Sequence, residues 1–224
     1  MNDVIPGVAL IDNSSQRLPC ILVLDGSGSM DGKAITELNA GLKVLEEELK
    51  LDDIARNRVR LLVLRVGDPH GVEIVTDWTD AVDFTAPTIH ADGMTPLGAG
   101  VRRALSELTL EKRRYDAAGI AYNRPWLYIF TDGEPSDPDW ATAAAECAAA
   151  ERENRVVVFP IAVGDASLDK LGQFSSARVP VVLDGIKFRE MFKWLSRSAK
   201  AASRSAQGES VQMPSPAGWA MTPT

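Results

Sequence analysis

Short apolar runs alternate along the chain with longer stretches in which apolar residues recur every three or four positions. The runs read as strands and the stretches as helices. Cys20-Ile-Leu-Val-Leu24 is continuously apolar and stops at Asp25, which predicts a strand buried on both faces. After the turn Gly26-Ser27-Gly28-Ser29, residues Ile35, Leu38, Leu42, Leu45 and Leu49 step by three, four, three and four. That spacing predicts a helix with one apolar face, and Glu46, Glu47 and Lys50 fall on its solvated side. Val59 to Val66 and Val72 to Trp78 read as two strands joined by Gly67-Asp-Pro-His-Gly71, a link short enough for an antiparallel hairpin. Residues 80–95 show no regular period. Pro96 opens a helix to about Leu110, and Trp126 to Thr131 is the next strand. Asp137-Pro138 predicts the cap and first turn of an alanine-rich helix reaching about Asn154. Val156 to Val163 is a strand in which Pro160 predicts a bulge or an edge position. A short helix at Leu168 to Phe174, a strand at Val179 to Leu183 and a helix from about Ile186 to Ala202 complete the series. In the last helix Phe188, Phe192 and Leu195 are the core candidates.

Strands alternating with helices predict an α/β fold. The expected form is a Rossmann-like, doubly wound, mostly parallel six-stranded sheet with helices on both faces. Residues 1–18 form a lead-in, residues 19–202 the domain and residues 203–224 a Ser/Pro-rich tail. The tail's composition is that of a disordered segment, except that Trp219 offers an aromatic anchor. The expectation is that Pro214 to Trp219 docks on its own domain or on a partner.

Composition narrows the function. The chain has 224 residues, 45% hydrophobic and 25% charged, which suits one soluble domain. A net charge of -7 repels phosphate backbones and anionic lipid, arguing against nucleic-acid and membrane partners. No apolar run is long enough to cross a bilayer, and Met1-Asn2-Asp3 lacks the basic start of a signal peptide. Cys20 and Cys147 fall in a strand and a helix and read as buried thiols of a cytoplasmic protein. His70 and His90 lack metal-type spacing, which argues against zinc.

In an open α/β sheet, sites form in the loops that leave the carboxyl ends of the strands. Three such loops carry oxygen-bearing residues: Asp25-Gly-Ser-Gly-Ser29, Asp92-Gly-Met-Thr95 and Thr131-Asp-Gly-Glu134. Each residue type is common in turns for backbone reasons, but three segments meeting at one edge point to a site. Glycines between Ser27 and Ser29 let a tight turn aim both hydroxyls at a point near Asp25. An all-oxygen donor set suits magnesium, manganese or calcium. Competing motifs fit poorly. A phosphate-binding loop fails because five residues, not four, separate Gly26 from Gly32-Lys33 and Ala34 lacks a hydroxyl. Neither Ser27 nor Ser29 has glycine two before and two after it, as a nucleophile elbow requires. A receiver-like phosphoacceptor at Asp25 is a further reading.

The pattern D-x-S-x-S, then an isolated threonine, then an aspartate after a later strand, resembles the metal-ion-dependent adhesion site of von Willebrand factor A domains. Asp25-Gly-Ser-Gly-Ser-Met30, Gly93-Met-Thr-Pro-Leu-Gly98 and Thr131-Asp-Gly-Glu-Pro135 carry that resemblance. Arg124-Pro-Trp-Leu, Phe192-Lys-Trp-Leu-Ser196 and Gly218-Trp219 are similar to the bacterial TerY-like branch, linked with tellurite resistance and stress response. By resemblance Asp25, Ser27, Ser29 and Thr95 would ligate Mg2+, or Mn2+ or Ca2+, with Asp132 binding directly or through water. Gly26 stands where many relatives have a larger residue, in a position pointing away from the ion. Asp92 replaces a frequent glycine and is expected to be a solvated turn residue, or else to touch the ion or repel an acidic partner. The resemblance implies a non-catalytic protein-interaction module that binds an Asp or Glu of a partner through the metal. Its partners would be other tellurite-resistance proteins or a kinase and phosphatase pair. Two alternatives are a metal-dependent phosphatase or phosphotransferase drawing on Asp25 and Glu134, and a structural subunit with a vestigial site.

Overall fold

A computed structural model describes residues 13, 15–67, 71–164, 166–183, 187–205 and 220–221. The strands are β1 (Leu18–Asp25), β2 (Val59–Gly67), β3 (Gly71–Asp80), β4 (Trp126–Thr131), β5 (Val157–Ala162), β6 (Val181–Leu183) and β7 (Ala220–Met221). The α-helices are α1 (Lys33–Lys50), α2 (Ala55–Arg58), α3 (Leu97–Ala118), α4 (Trp140–Arg152), α5 (Leu168–Gly172) and α6 (Phe188–Arg204). A 3-10 turn spans Gly28–Met30. The sheet order is β3-β2-β1-β4-β5-β6-β7. Strands β2, β1, β4, β5 and β6 are mutually parallel, whereas β3 and β7 are antiparallel to their neighbours. The fold is thus the expected mostly parallel, doubly wound α/β sheet, and β2 and β3 form the expected antiparallel hairpin.

Continuous apolar strands arise because both faces are covered. Along β1, Leu18, Cys20, Leu22 and Leu24 join the core formed with α1 and α6, while Ile21 and Val23 join the core formed with α3 and α4. Leu38, Leu42, Leu45 and Leu49 of α1 are fully buried, as are Phe188, Phe192 and Leu195 of α6. The thiols of Cys20 and Cys147 are free and buried. Burial raises both, and the nearby Glu151 charge adds to the rise at Cys147, which is pushed up to about 12. No helix among the described residues is long and apolar enough to cross a membrane.

Four local expectations need correction. The sheet has a seventh strand beyond the expected six, the two-residue β7, which pairs with Val182 and Leu183. Helix α3 runs to Ala118, two turns past Leu110, because Glu111 and Tyr115 continue its buried face before Gly119 ends it in the left-handed region. Helix α4 starts at Trp140 with Asp139 at its cap position, so Asp137 and Pro138 precede it. Pro160 makes neither a bulge nor an edge strand, since β5 runs in unbroken register between β4 and β6. The amides of Val157 and Val163 bond to the β4 side. By the parallel-strand alternation Pro160 therefore faces the other side, where pairing with β6 involves only Ile161 and Ala162. Its missing N–H breaks no ladder bond. Trp219 lies outside the described residues.

Candidate metal centre

The strand sequence moves outward in one direction from β1 through β2 to β3 and in the other from β4 through β5 to β6. The switch point lies between β1 and β4, where a doubly wound sheet leaves a crevice at its carboxyl edge. Asp25 ends β1 and Thr131 ends β4, so the D-x-S-x-S turn and Asp132 emerge side by side.

Asp25 is fully buried and Ser27 nearly so, whereas Ser29 is exposed. The Ser27 amide donates to Asp25 Oδ1 at 2.9 Å, closing the turn on its own carboxylate. Thr131 Oγ1 donates to Asp25 Oδ2 at 2.6 Å and in turn accepts the Gly133 amide at 3.2 Å. The Ser27 and Ser29 hydroxyls lie 3.0 Å apart, and Ser29 Oγ donates to Asp132 Oδ1 at 2.7 Å. Four of the five sequence-derived residues, Asp25, Ser27, Ser29 and Asp132, are therefore linked through direct hydrogen bonds. Thr95, also buried, closes on the same point from the third loop. A Cβ placed on Gly133 would lie 3.5 Å from Thr95 Oγ1 and 3.8 Å from Ser29 Oγ.

Backbone contacts lock the three loops together. The Gly28 amide donates to the Gly93 carbonyl at 2.9 Å, the Asp92 amide to the Gly26 carbonyl at 2.7 Å, and the Ser136 amide to the Thr95 carbonyl at 2.9 Å. Asp92 itself is exposed, a solvated turn residue. Asp137 has a role that its position in sequence concealed. Its carboxylate accepts the Gly98 and Ala99 amides at 3.1 and 3.0 Å and so caps α3, the helix that follows Thr95. Replacing Asp137 by alanine is expected to cost about 1 kcal/mol in urea denaturation. An unchanged midpoint would show that solvent satisfies those amides equally well.

The donor set is all oxygen: two carboxylates and three hydroxyls. Among the described residues no three His, Cys, Asp or Glu side chains form a metal-type group, so an ion here would draw on hydroxyls for part of its shell. Burial raises the Asp132 carboxyl above its ordinary value; the Ser29 hydrogen bond opposes this and the Asp25 charge adds to it. Two converging carboxylates with neutral hydroxyls between them fit a small hard cation. Sequence reasoning missed Thr131 as the partner of Asp25, although its place one residue before Asp132 on a parallel strand was a usable signal.

The sequence model of the von Willebrand factor type A domain matches residues 20–183. The chain belongs to this family. No curated protein matches the sequence at a significant level. Among solved structures, the open conformation of the pilus adhesin SpaC from Lactobacillus rhamnosus GG superposes with a TM-score of 0.66 at 14% identity, over 84% of this chain and 31% of the adhesin. The proximal thread matrix protein 1 of the mussel byssus gives 0.57 at 16% identity, over 85% of this chain and 47% of that one. The ArnB paralog VWA2 from Sulfolobus acidocaldarius gives 0.53 at 14% identity, over 83% and 46%. At these identities the likeness concerns the fold alone. The von Willebrand factor A chain described here spans about half the length of the mussel and archaeal structures and about a third of the adhesin.

Proposed function

We propose that this von Willebrand factor A domain is a non-catalytic interaction module that holds one divalent cation, Mg2+ or alternatively Mn2+ or Ca2+, and uses it to bind an acidic side chain of a partner protein. The observation that carries the reading is the hydrogen-bonded chain Asp25–Ser27–Ser29–Asp132 at the switch point of the sheet. Asp25, Ser27, Ser29 and Thr95 would hold the ion, with Asp132 reaching it directly or through water. Thr131 orients the Asp25 carboxylate from behind, leaving further lone pairs of that carboxylate free for a ligand. With few protein carboxylates around it, a bound cation keeps residual positive charge and attracts an external Asp or Glu. The phosphatase reading has less support, because Glu134, its candidate acid, is exposed and paired with Lys170 at 2.7 Å.

The motifs Arg124-Pro-Trp-Leu and Phe192-Lys-Trp-Leu-Ser196 favour a place in the TerY-like branch. On that reading the module works in the cytoplasm within a bacterial tellurite-resistance or stress-response system. Its partners would be other proteins of that system or a kinase and phosphatase pair. Calorimetry with Mn2+ is expected to show one site that Asp25→Ala abolishes. Equal binding by the variant would overturn the assignment. Partner capture should fail in excess EDTA.

A further inference from the structure

Arg65 is one of two arginines in the otherwise apolar strand β2 and is only 5% exposed. Such a cation needs partners. Among the described residues it forms no ion pair with a carboxylate. Instead its Nε donates to the His90 carbonyl at 2.8 Å and its Nη2 to the Gly26 carbonyl at 3.0 Å. Gly26 belongs to the turn that carries Asp25, Ser27 and Ser29, and His90 lies in the segment that leads to Thr95. One rigid guanidinium fork therefore spans two of the three loops at the candidate metal centre.

Two glycines make room for it. A Cβ on Gly26 would lie 2.6 Å from Arg65 Nε and 2.8 Å from the His90 carbonyl oxygen. A Cβ on Gly67 would lie 2.8 Å from Arg65 Nη2, 2.8 Å from the Gly26 carbonyl oxygen and 2.9 Å from the Asp92 carbonyl oxygen. The glycine at position 26 is thus not simply a looser version of a larger residue. The volume a side chain would fill is taken by Arg65, which replaces local stiffness with a cross-loop hydrogen-bonded contact.

We propose that Arg65, accommodated by Gly26 and Gly67, is a positioning residue for the metal centre, a brace that fixes the D-x-S-x-S turn against the Thr95 loop. The proposal rests on the metal-binding reading above. Outer-shell groups that orient ligand-bearing loops change metal affinity about 10–100-fold when removed. The Arg65 charge acts in the opposite sense, since a buried cation near the site repels a divalent ion. The two contributions predict opposite results, and the brace is the larger if the proposal holds.

The test is Mn2+ calorimetry on the full chain, well below the unfolding temperature and with folding verified by circular dichroism. Wild type, Arg65→Ala, Arg65→Lys and Gly26→Ala are compared. Arg65→Ala is expected to weaken binding about tenfold or more. Arg65→Lys keeps the charge but cannot span both carbonyls, so it should weaken binding too, and it serves alone if the alanine variant does not fold. Gly26→Ala should weaken binding as well, since its Cβ displaces Arg65 and crowds the His90 carbonyl that Arg65 holds. Wild-type affinity in both Arg65→Ala and Arg65→Lys, or tighter binding in Arg65→Ala, would overturn the brace. If wild type binds no Mn2+, or Asp25→Ala binds as wild type does, the metal reading falls and this proposal with it. A wild-type site lost in Asp25→Ala but unmoved in the Arg65 variants overturns the brace alone.

Discussion

Replacing Glu111 by alanine is expected to lower the unfolding free energy by about 3–5 kcal/mol. Glu111 is fully enclosed in α3, at the amino-terminal edge of the sheet and away from the candidate metal centre. It sits in a line of alternating charges. Arg17 Nη1 meets Asp80 Oδ2 at 3.0 Å, and Arg60 Nη1 meets Asp80 Oδ1 at 2.9 Å. Arg60 Nε lies 2.9 Å from Glu111 Oε1 without hydrogen-bond alignment, and Arg114 Nη1 lies 3.0 Å from Glu111 Oε2. Arg17 also donates to the carbonyls of Asn57 and Asn13, and Arg60 to that of Trp78. The buried members balance as two cations and two anions. Truncating Glu111 leaves Arg17 and Arg60 sharing Asp80, with one uncompensated charge that water cannot readily reach. Asp80 is a less decisive target, because about a tenth of its side chain is exposed beside a cavity of about 450 Å³. Urea denaturation of the variant measures the loss. A cost below about 1 kcal/mol, the value of a surface pair, would show that the network is solvated. Mn2+ affinity of the folded variant should stay unchanged, since the network and the loops of the candidate metal centre lie at opposite edges.

The same residues show why some of the molecule was legible in the sequence and some was not. Apolar runs identify β1, β2 and β4 because a strand covered on both faces has little room for polar residues, and the α1 stripe shows which side of that helix is buried. The candidate-site loops after Asp25 and Thr131 were readable because the carboxyl ends of parallel strands emerge on one edge, and the Thr95 loop because it opens the helix that packs there. Pairwise chemistry across the fold was not readable. Glu111 follows Leu110 in a charged stretch, and nothing local separates a solvated carboxylate from one facing Arg60. Asp137-Pro138 has the form of a cap for the next helix, yet its carboxylate reaches back to α3, a contact fixed by tertiary geometry. Arg60 and Arg65 did leave a signal. A cation inside a run that reads as doubly buried must find partners, and each of these arginines marks a polar contact network at one end of β2.

Glu151→Gln is expected to cost about 3 kcal/mol at neutral pH, and the cost should shrink on acidification. Glu151 lies near the end of α4 and is almost fully buried. Its Oε1 accepts the Val158 amide at 2.9 Å and Arg178 Nη1 at 2.8 Å. Its Oε2 accepts Ser175 Oγ at 2.7 Å, the Ser176 amide at 2.8 Å and the Ala177 amide at 3.2 Å. One carboxylate thereby fixes the start of β5 and the turn after α5. Every one of those partners is a donor, so an amide would turn its own N–H groups onto N–H or O–H groups and lose the charge opposite Arg178. Burial alone would raise the Glu151 carboxyl, but the bonds from Ser175, Val158 and Ser176 and the Arg178 charge outweigh it and hold it below the ordinary value of about 4.3. A folded-state value lower than the unfolded one means that the ionised carboxylate favours folding. Its contribution is complete above the unfolded value and is lost as pH falls through the folded one. The wild type should therefore lose its advantage over Glu151→Gln progressively below about pH 4. Urea denaturation of both proteins at pH 7 and near pH 3 measures this. The same difference at both pH values would mean that Glu151 contributes through shape alone and not as an ionised acceptor.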